Sequence, residues 1–336
     1  MLKSQPGLVG EITHRPAPST QIRHSYSLLS SSEQQVVKTL LRAPNTLLPQ
    51  ALDELPPTRR ALSLELAISH LQYQHSKEEK RKTTPKQERL HQLLTMRSRL
   101  EADAPEVSIP PFVTQPDSGH NSLRVGLGWG WRQYDWFEEL TIRAGYHDLL
   151  DPTPGYTPDA QIEILALSVR HYHRRDRLRL HQLTLINAIS LSPIEPLLFA
   201  PSWKGRVELS TLGHRNCRYC QNLTLNGGLG LSVQTSWIRR EVYFLFPEVD
   251  AEASRGFTPN YRIGAGGTAG ILIQFSNRWK ALLSGTYARY PLGDRGEEFR
   301  GSVSQEYTLR QNLALRCEYR YRRHDSEARL SLYAYF

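Results

Sequence analysis

The amino-acid sequence predicts a mainly β protein, an antiparallel transmembrane β-barrel of about twelve strands preceded by a small α-helical periplasmic region. Apolar and polar residues alternate with a period of two from about His120 to the C-terminal Phe336. Many alternating segments reach about ten residues, the length that a tilted strand needs to cross a bilayer. The first part of the chain instead has helical apolar spacing. The predicted domains are a helical region over residues 1–101, a linker over 102–119 and a barrel over 120–336.

The composition fits such a barrel, because strands that alternate apolar and polar residues have the average hydropathy of a soluble protein. The 336 residues are 39% hydrophobic and carry a net charge of +9. No run of about eighteen apolar residues occurs, which excludes a transmembrane helix. The arginines form no basic helix or tail, so nucleic acid is not expected as a partner. We expect outer-membrane lipid as the partner and no cofactor.

Helix signals mark three segments before the linker, whereas residues 1–26 look extended and irregular. Ser32 followed by Glu33 suits a capped helix start. The second and strongest helix should open at Pro56-Pro57, and the third at Thr84-Pro85. A segment rich in Pro, Asp and Ser then forms the linker, which cannot continue a helix.

The strand signal is clearest over residues 123–131, where every odd position is a large apolar residue and every even position is Gly or Arg. This pattern predicts lipid on one face and a tight or polar interior on the other. In a later strand, Leu315 should face lipid and Arg316 the lumen. A soluble barrel or sandwich also alternates, but it rarely directs so many Leu, Trp and Tyr side chains outward. The final aromatic Phe336 resembles the signal by which outer-membrane barrels are recognised for assembly.

The N-terminal residues 1–10 lack the apolar core of a signal peptide. Because an outer-membrane barrel must be exported, we expect the chain to be a fragment or to start at a wrong position. The expected location is the cell outer membrane.

Several segments are similar to one family of Gram-negative envelope proteins. They are Pro56-Pro57-Thr58-Arg59-Arg60-Ala61-Leu62, Leu71-Gln72-Tyr73, Gly119-His120-Asn121-Ser122, Ala144-Gly145-Tyr146-His147-Asp148-Leu149-Leu150-Asp151-Pro152, Gly155-Tyr156, Ala160-Gln161-Ile162-Glu163, Ser190-Leu191-Ser192-Pro193 and Ser202-Trp203-Lys204. In the family that these segments resemble, an N-terminal periplasmic domain is related to the Lnb-type lipoprotein acyltransferase, and the C-terminal part is a barrel. The resemblance covers nearly the whole chain. It implies that the acyltransferase-like domain, with its catalytic cysteine and histidine, lies upstream of Met1 and that this chain is the helical-plus-barrel part.

One candidate catalytic pair is His120 and Ser122 at the start of the first strand. Residues i and i+2 share a face, so the imidazole could serve as base to the hydroxyl. Outer-membrane phospholipases and lipid A deacylases use a similar pairing. Against this interpretation, Ser122 shares its face with Arg124 on the interior side.

A polar cluster is formed by His147, Asp148 and Asp151, with Glu163 on the next strand. It could bind a cation or a lipid headgroup, or it could be a turn in which the acids cap backbone amides. We also predict that His147 and Asp148 bond to the helical region or to the linker near Gly119-His120.

Two further groups carry weaker signals. Cys217 and Cys220 form a C-x-x-C pair that could be a disulfide in an oxidising periplasm or could have no special role. His171 and His173 share a face of one strand and could bind a metal, but surface polar positions explain them as well, and no metal site is predicted.

The sequence therefore favours an outer-membrane barrel module that anchors or binds a periplasmic domain missing from this chain, and no enzyme activity of its own. One alternative is an outer-membrane acyl hydrolase, phospholipase-like or lipid A deacylase-like, that uses His120 and Ser122. The other alternative is a narrow channel, although about twelve strands enclose a lumen that side chains would largely fill.

Overall fold

A computed structural model describes residues 16–42, 48–77, 85–107, 119–133, 135–214 and 217–336. The chain divides into two compact units. The first comprises Met1–Val113 and Pro196–Leu198, and the second comprises Thr114–Glu195 and Phe199–Phe336. The boundary thus falls within the predicted linker, of which residues 108–118 lie outside the described part.

The first unit is helical. Its helices are α1 Pro18–Ser27, α2 Ser31–Arg42, α3 Leu48–Asp53, α4 Pro57–Lys77 and α5 Pro85–Ser98. Leu64 and Ile68 of α4 are buried together with Leu40 of α2 and Leu93 of α5. None of the described helices is long and apolar enough to cross a bilayer.

Two details of the helical unit differ from the sequence prediction. Residues expected to be irregular form α1, because Ile22 and Tyr26 stand one turn apart and are both buried. The cap of α2 is Ser30 rather than Ser32. The backbone N–H of Ser30 donates to Glu33 Oε2 at 2.8 Å, and the N–H of Glu33 donates to Ser30 Oγ at 3.3 Å, which is a reciprocal capping box.

The second unit is a closed barrel of twelve antiparallel strands, which confirms the predicted fold class. The strands are β1 Arg124–Arg132, β2 Asp135–His147, β3 Ala160–Tyr172, β4 Arg177–Ser190, β5 Ser202–His214, β6 Cys217–Thr235, β7 Arg240–Ser254, β8 Tyr261–Gln274, β9 Trp279–Gly293, β10 Gly296–Arg310, β11 Leu313–Arg322 and β12 Glu327–Tyr335. Consecutive strands pair with each other, and β1 pairs with β12 to close the ring. No strand edge therefore remains unpaired in this ring.

The exposed side chains on the outer face of the barrel differ in type between the middle and the ends of the strands. The middle of the strands exposes aliphatic side chains, among them Leu127, Leu140, Leu225 and Leu330. Aromatic side chains are exposed near both strand ends, at Tyr146, Trp203, Trp279 and Tyr307 on one side and at Trp131, Trp136, Tyr261 and Tyr321 on the other. An aliphatic band between two aromatic girdles is the surface that a bilayer requires. As predicted, Leu315 is exposed and Arg316 is buried.

The two ends of the barrel differ in their connections. We call the end at which β1 begins and β12 ends the proximal end, and the opposite one the distal end. Two long connections, residues 148–159 and 191–201, lie between strands at the proximal end. The described distal connections are shorter, and the longest covers residues 255–260.

Candidate functional site

The connection of residues 148–159, which we call the plug loop, crosses the barrel lumen at the proximal end. On one side, Asp148 pairs with Arg124 of β1 and Arg316 of β11. On the other side, Leu149 and Leu150 join a buried apolar cluster with residues of β7 and β8, namely Val242, Phe246 and Leu272. Because β7 stands six strands from β1 in a ring of twelve, contacts to both walls mean that the loop spans the lumen.

Three arginines of the barrel wall hold the two acids of the plug loop. We call Arg124, Arg143, Arg316, Asp148 and Asp151 the plug cluster. Arg124 Nη1 lies 2.6 Å from Asp148 Oδ2 and 3.2 Å from Asp151 Oδ1. Arg316 binds Asp148 through both Nη atoms, at 2.7 and 2.8 Å, and Arg143 Nη2 donates to Asp151 Oδ2 at 2.7 Å. Such charge-assisted bonds are the strong ones in a buried site.

Both acids of the plug cluster are charged at neutral pH. Burial raises the pKa of the Asp148 carboxyl, but Arg316 and Arg124 lower it further, so that it lies well below its usual range. The pKa of Asp151 is also lowered: burial and Asp148 raise it, and the three arginines more than compensate. Two barrel acids also contact these arginines, since Glu306 accepts from Arg316 Nε at 2.7 Å and Glu163 lies 3.4 Å from Arg124 Nη2.

The same two acids fix the turn of the plug loop. Asp148 Oδ1 accepts the backbone N–H of Leu150 at 2.9 Å and of Asp151 at 3.1 Å, and Asp151 Oδ2 accepts the N–H of Asp148 at 2.9 Å. Lys280 of β9 donates to the Asp151 carbonyl oxygen at 2.5 Å. The interpretation of these acids as caps of a turn therefore holds, and the turn is at the same time an ion-pair anchor.

Small residues on the inner face make room for the cluster. The ring of Tyr333 lies beneath Arg124, with the guanidinium carbon 4.4 Å from the ring centroid. A Cβ added to Gly126 would stand 2.4 Å from this ring. Alternation of Gly with large apolar residues in β1 thus leaves space on the lumen side for an aromatic support of the plug cluster.

Asp148 was predicted to bond to the helical region or the linker; its described partners are barrel arginines. The His147 ring packs against Tyr156 of the plug loop, with 4.4 Å between ring centroids. Tyr156 in turn stacks on His120 at 4.4 Å and donates its hydroxyl to the His120 carbonyl oxygen at 2.7 Å. Among the described residues, the contact between His147 and the segment around His120 runs through Tyr156.

The predicted pair His120 and Ser122 does not have the geometry of a catalytic dyad. The His120 ring is buried between Tyr156 and Tyr335, and its Nδ1 donates to the Asn121 carbonyl oxygen at 2.6 Å. Ser122 is exposed to solvent, and the structure describes no hydrogen bond between its Oγ and the ring. Burial lowers the pKa of His120, so the ring is neutral beside the plug cluster, with Nε2 3.8 Å from Asp151 Oδ2.

Charged pairs also fill much of the lumen beyond the plug cluster. Arg170 of β3 joins Glu139 at 2.5 Å and Glu327 at 2.7 Å, and all three are buried. Nearer the distal end, Arg262 bonds to Glu252 at 2.6 Å and to Glu298 at 2.5 Å. Alternation within a strand can indicate which charged residues face inward, but it does not indicate which of them pair. The lumen keeps about 430 Å³ of open space, lined mainly by polar side chains such as Gln182, Thr184, Asn187 and Glu208.

The cysteines lie away from the plug cluster. Cys217 and Cys220 form a disulfide at the distal start of β6, with their Cα atoms 5.7 Å apart. Cys317 is free and exposed on the outer face of β11.

The fold and the plug loop define a twelve-stranded antiparallel barrel whose lumen is crossed by a loop at its proximal end. Residues 113–335 match a family model described as a domain of unknown function, DUF7840, and the chain belongs to this family. Residues 12–109 match a second model of the same description, DUF7842. No curated protein sequence matches this chain.

Solved structures with a similar strand arrangement include outer-membrane porins and channels. The KdgM porin in complex with disordered oligogalacturonate is 10% identical, with a TM-score of 0.38 over 63% of this chain and 99% of that chain. An outer membrane channel from Pseudomonas putida F1 is 9% identical, with a TM-score of 0.38 over 69% and 100%. The outer membrane protein Omp33 of Acinetobacter baumannii is 7% identical, with a TM-score of 0.31 over 65% and 99%.

Proposed function

We propose that this chain is an outer-membrane barrel module that anchors a periplasmic domain and conducts no solute. The observation that carries the proposal is the plug loop, which spans the lumen from the arginines of β1 and β11 to the apolar wall of β7 and β8. Porins keep a water-filled lumen, whereas loops or a helix plug the lumen of other outer-membrane barrels, so a loop held against both walls favours a barrel that does not conduct.

The membrane assignment is supported by the outer face. The aliphatic band around Leu127, Leu140 and Leu330 is exposed, and an exposed apolar surface of this extent is unfavourable in water. Closure of the ring satisfies the backbone hydrogen bonds of every strand internally, which is the condition for a β structure in lipid.

The channel alternative would require the plug loop to leave the lumen. That movement would expose Leu149 and Leu150 and would separate Asp148 from two arginines. Removing one partner from a buried ion pair costs about 3–5 kcal/mol, so an open state would be sparsely populated.

The test is conductance of the full chain in planar lipid bilayers. We expect the parent protein to insert without stepwise current, and Asp148→Ala/Asp151→Ala to produce current steps or flicker because the loop loses its anchors. Asp294→Ala, in a distal turn, is the matched control and should stay silent. Heat-modifiable mobility on gels would show that each protein is folded. Equal current steps in parent and double variant would refute the closed-barrel proposal.

We propose further that the anchored partner is a periplasmic domain related to the Lnb-type lipoprotein acyltransferase. The support is the sequence resemblance carried by segments such as residues 56–62 and 144–152. Co-purification of this chain with such a domain from solubilised membranes would support the proposal. Recovery of the domain in the soluble periplasmic fraction, whether or not the barrel is present, would contradict it.

A further inference from the structure

A second group of polar side chains lies outside the lumen, near the distal end. Glu138 of β2 and His171 of β3 are direct cross-strand partners, and His173 follows in the 3₁₀ turn His173–Arg175. Potential ligand atoms of the three side chains lie within 4.8 Å of one another. In the described part of the chain, no other group of His, Cys, Asp and Glu side chains meets this spacing.

The distances between the donor atoms suit a small tetrahedral ion. His173 Nε2 lies 3.5 Å from Glu138 Oε1, and His171 Nδ1 lies 3.8 Å from Glu138 Oε2. Ligands about 2.0–2.1 Å from a tetrahedral Zn²⁺ are separated by roughly 3.3–3.5 Å. The donor atoms of the two histidines lie within 4.8 Å of each other, so side-chain rotations that move these atoms by up to about 1.5 Å would bring the three donors onto one ion.

A fourth residue, Asp176, orients one of these donors. Its Oδ1 lies 2.9 Å from His171 Nε2. If Nε2 carries the proton and donates it to this carboxylate, the lone pair of the ring is on Nδ1, the atom that faces Glu138. A ligating histidine whose other nitrogen donates to a carboxylate is the usual outer-shell arrangement of protein metal sites.

The turn that carries His173 is itself tied to the neighbouring hairpin. The backbone N–H of Arg174 donates to Asp135 Oδ1 at 3.0 Å, so the segment after β3 is held against the start of β2. The side chains of Glu138, His171 and His173 are all partly exposed. Because Glu138 shares its outward face with Trp136 of the distal girdle, the group lies at the membrane interface, where water can complete the coordination and an ion can enter.

We propose that Glu138, His171 and His173 bind a divalent transition-metal ion on the outer distal rim of the barrel, with Asp176 as a positioning residue. Two imidazoles and one carboxylate suit Zn²⁺, Cu²⁺ or Ni²⁺, whereas Ca²⁺ and Mg²⁺ prefer oxygen ligands only. Zn²⁺, which takes tetrahedral sites of this ligand type, is the ion that fits the spacing best.

The experiment is calorimetric titration of the tag-free full chain, folded in detergent, with ZnCl₂ and separately with CaCl₂. We expect one equivalent of Zn²⁺ to bind saturably and no heat of binding from Ca²⁺. His173→Ala and Glu138→Gln should each weaken Zn²⁺ binding at least tenfold. Asp176→Asn should weaken it by about 10–100-fold, as outer-shell changes do. His91→Ala, at an exposed histidine of α5, is the matched control and should bind as the parent does.

A second readout identifies the ligands directly. With one equivalent of Cu²⁺, the electron paramagnetic resonance spectrum of the parent should show nitrogen couplings that decrease in His171→Ala and in His173→Ala. Zn²⁺ affinity that is unchanged in both histidine variants would overturn the proposal. So would the lack of saturable binding by a parent protein that is folded according to its heat-modifiable mobility.

Discussion

Asp148 accepts two hydrogen bonds from Arg316, at 2.7 and 2.8 Å, although the two residues are 168 positions apart in the chain. The acid belongs to the first proximal connection of the barrel and the arginine to its eleventh strand. Because Asp148 also binds Arg124 of β1, one carboxylate links the plug loop to both sides of the seam at β12. Both contacts can exist together only where β12 pairs with β1 and with β11.

The first prediction concerns this ion pair. Arg316→Met should destabilise the folded barrel by about 3–5 kcal/mol, because Asp148 and Glu306 lose a buried cation. Adding Asp148→Ala should restore part of the loss. Urea unfolding in lipid vesicles, analysed as a double-mutant cycle, would measure the coupling between the two residues. Strictly additive free energies would show that the pair does not interact.

The second prediction concerns the lipid face. Leu140 pairs with Leu127 in the middle of the aliphatic band, so Leu140→Arg should cost about 2–4 kcal/mol of folding free energy. Trp136→Arg lies in the distal aromatic girdle and should cost about 0–1 kcal/mol. Folding into vesicles would be measured for both variants. Equal costs would mean that the band between the girdles is not at the hydrocarbon core.

Sequence reasoning was sufficient for the barrel because its signal is local. Alternation within each strand determines which side chains face lipid, as Leu315 and Arg316 show. Alternation carries no information about which inward-facing charges form ion pairs. Arg316 and Asp148 are distant in the chain and are brought together by closure of the ring. For this reason Arg316 could look like a replaceable lumen residue in the sequence, although it binds two acids in the structure.

The sequence did not predict that the plug loop enters the lumen, and the reason is related. Asp148 and Asp151 could be identified as turn residues, because such acids cap nearby amides. Their burial could not be inferred, because a connection between strands normally lies at the surface. The one available signal was Leu149-Leu150 between the two acids, an apolar pair that a surface turn does not need.

The third prediction concerns the pH dependence of the helical unit. Glu33 accepts hydrogen bonds from Arg59 and from Ser30, and these lower its pKa to about 2. A carboxyl whose pKa is lower in the folded than in the unfolded state stabilises the fold above its unfolded pKa of about 4.3. This contribution is lost as the pH falls from about 5 towards 2.

Glu33→Gln keeps the cap of α2 but removes the ion pair. It should destabilise the helical unit by about 1 kcal/mol at pH 7 and should change its stability much less at pH 2, where Glu33 is partly protonated in the folded state as well. Urea unfolding of the full chain, followed by circular dichroism at a helical wavelength, provides the measurement. Asp53→Asn is the control, because Asp53 is largely exposed beside Arg60. A Glu33→Gln effect that is independent of pH would contradict the assignment.

The last prediction concerns the orientation of the barrel. Outer-membrane barrels usually have short periplasmic turns and longer extracellular loops, whereas here the long connections are proximal. The lengths of the connections alone would therefore assign the proximal end to the extracellular side. However, Leu149, Leu150 and Asp151 of the plug loop are buried in the lumen, so this connection is not a surface loop. We therefore expect the proximal end to be periplasmic and the distal end to be extracellular.

Single cysteines in a Cys317→Ala background would decide between the two orientations. Arg295→Cys lies in an exposed distal turn and Arg278→Cys in an exposed proximal turn. On intact cells and without reductant, a membrane-impermeant maleimide should label position 295 and should reach position 278 only after the outer membrane is permeabilised. The disulfide between Cys217 and Cys220 keeps those thiols unreactive. Labelling in the opposite order would reverse the orientation, and it would place the Glu138, His171 and His173 group at the periplasmic surface.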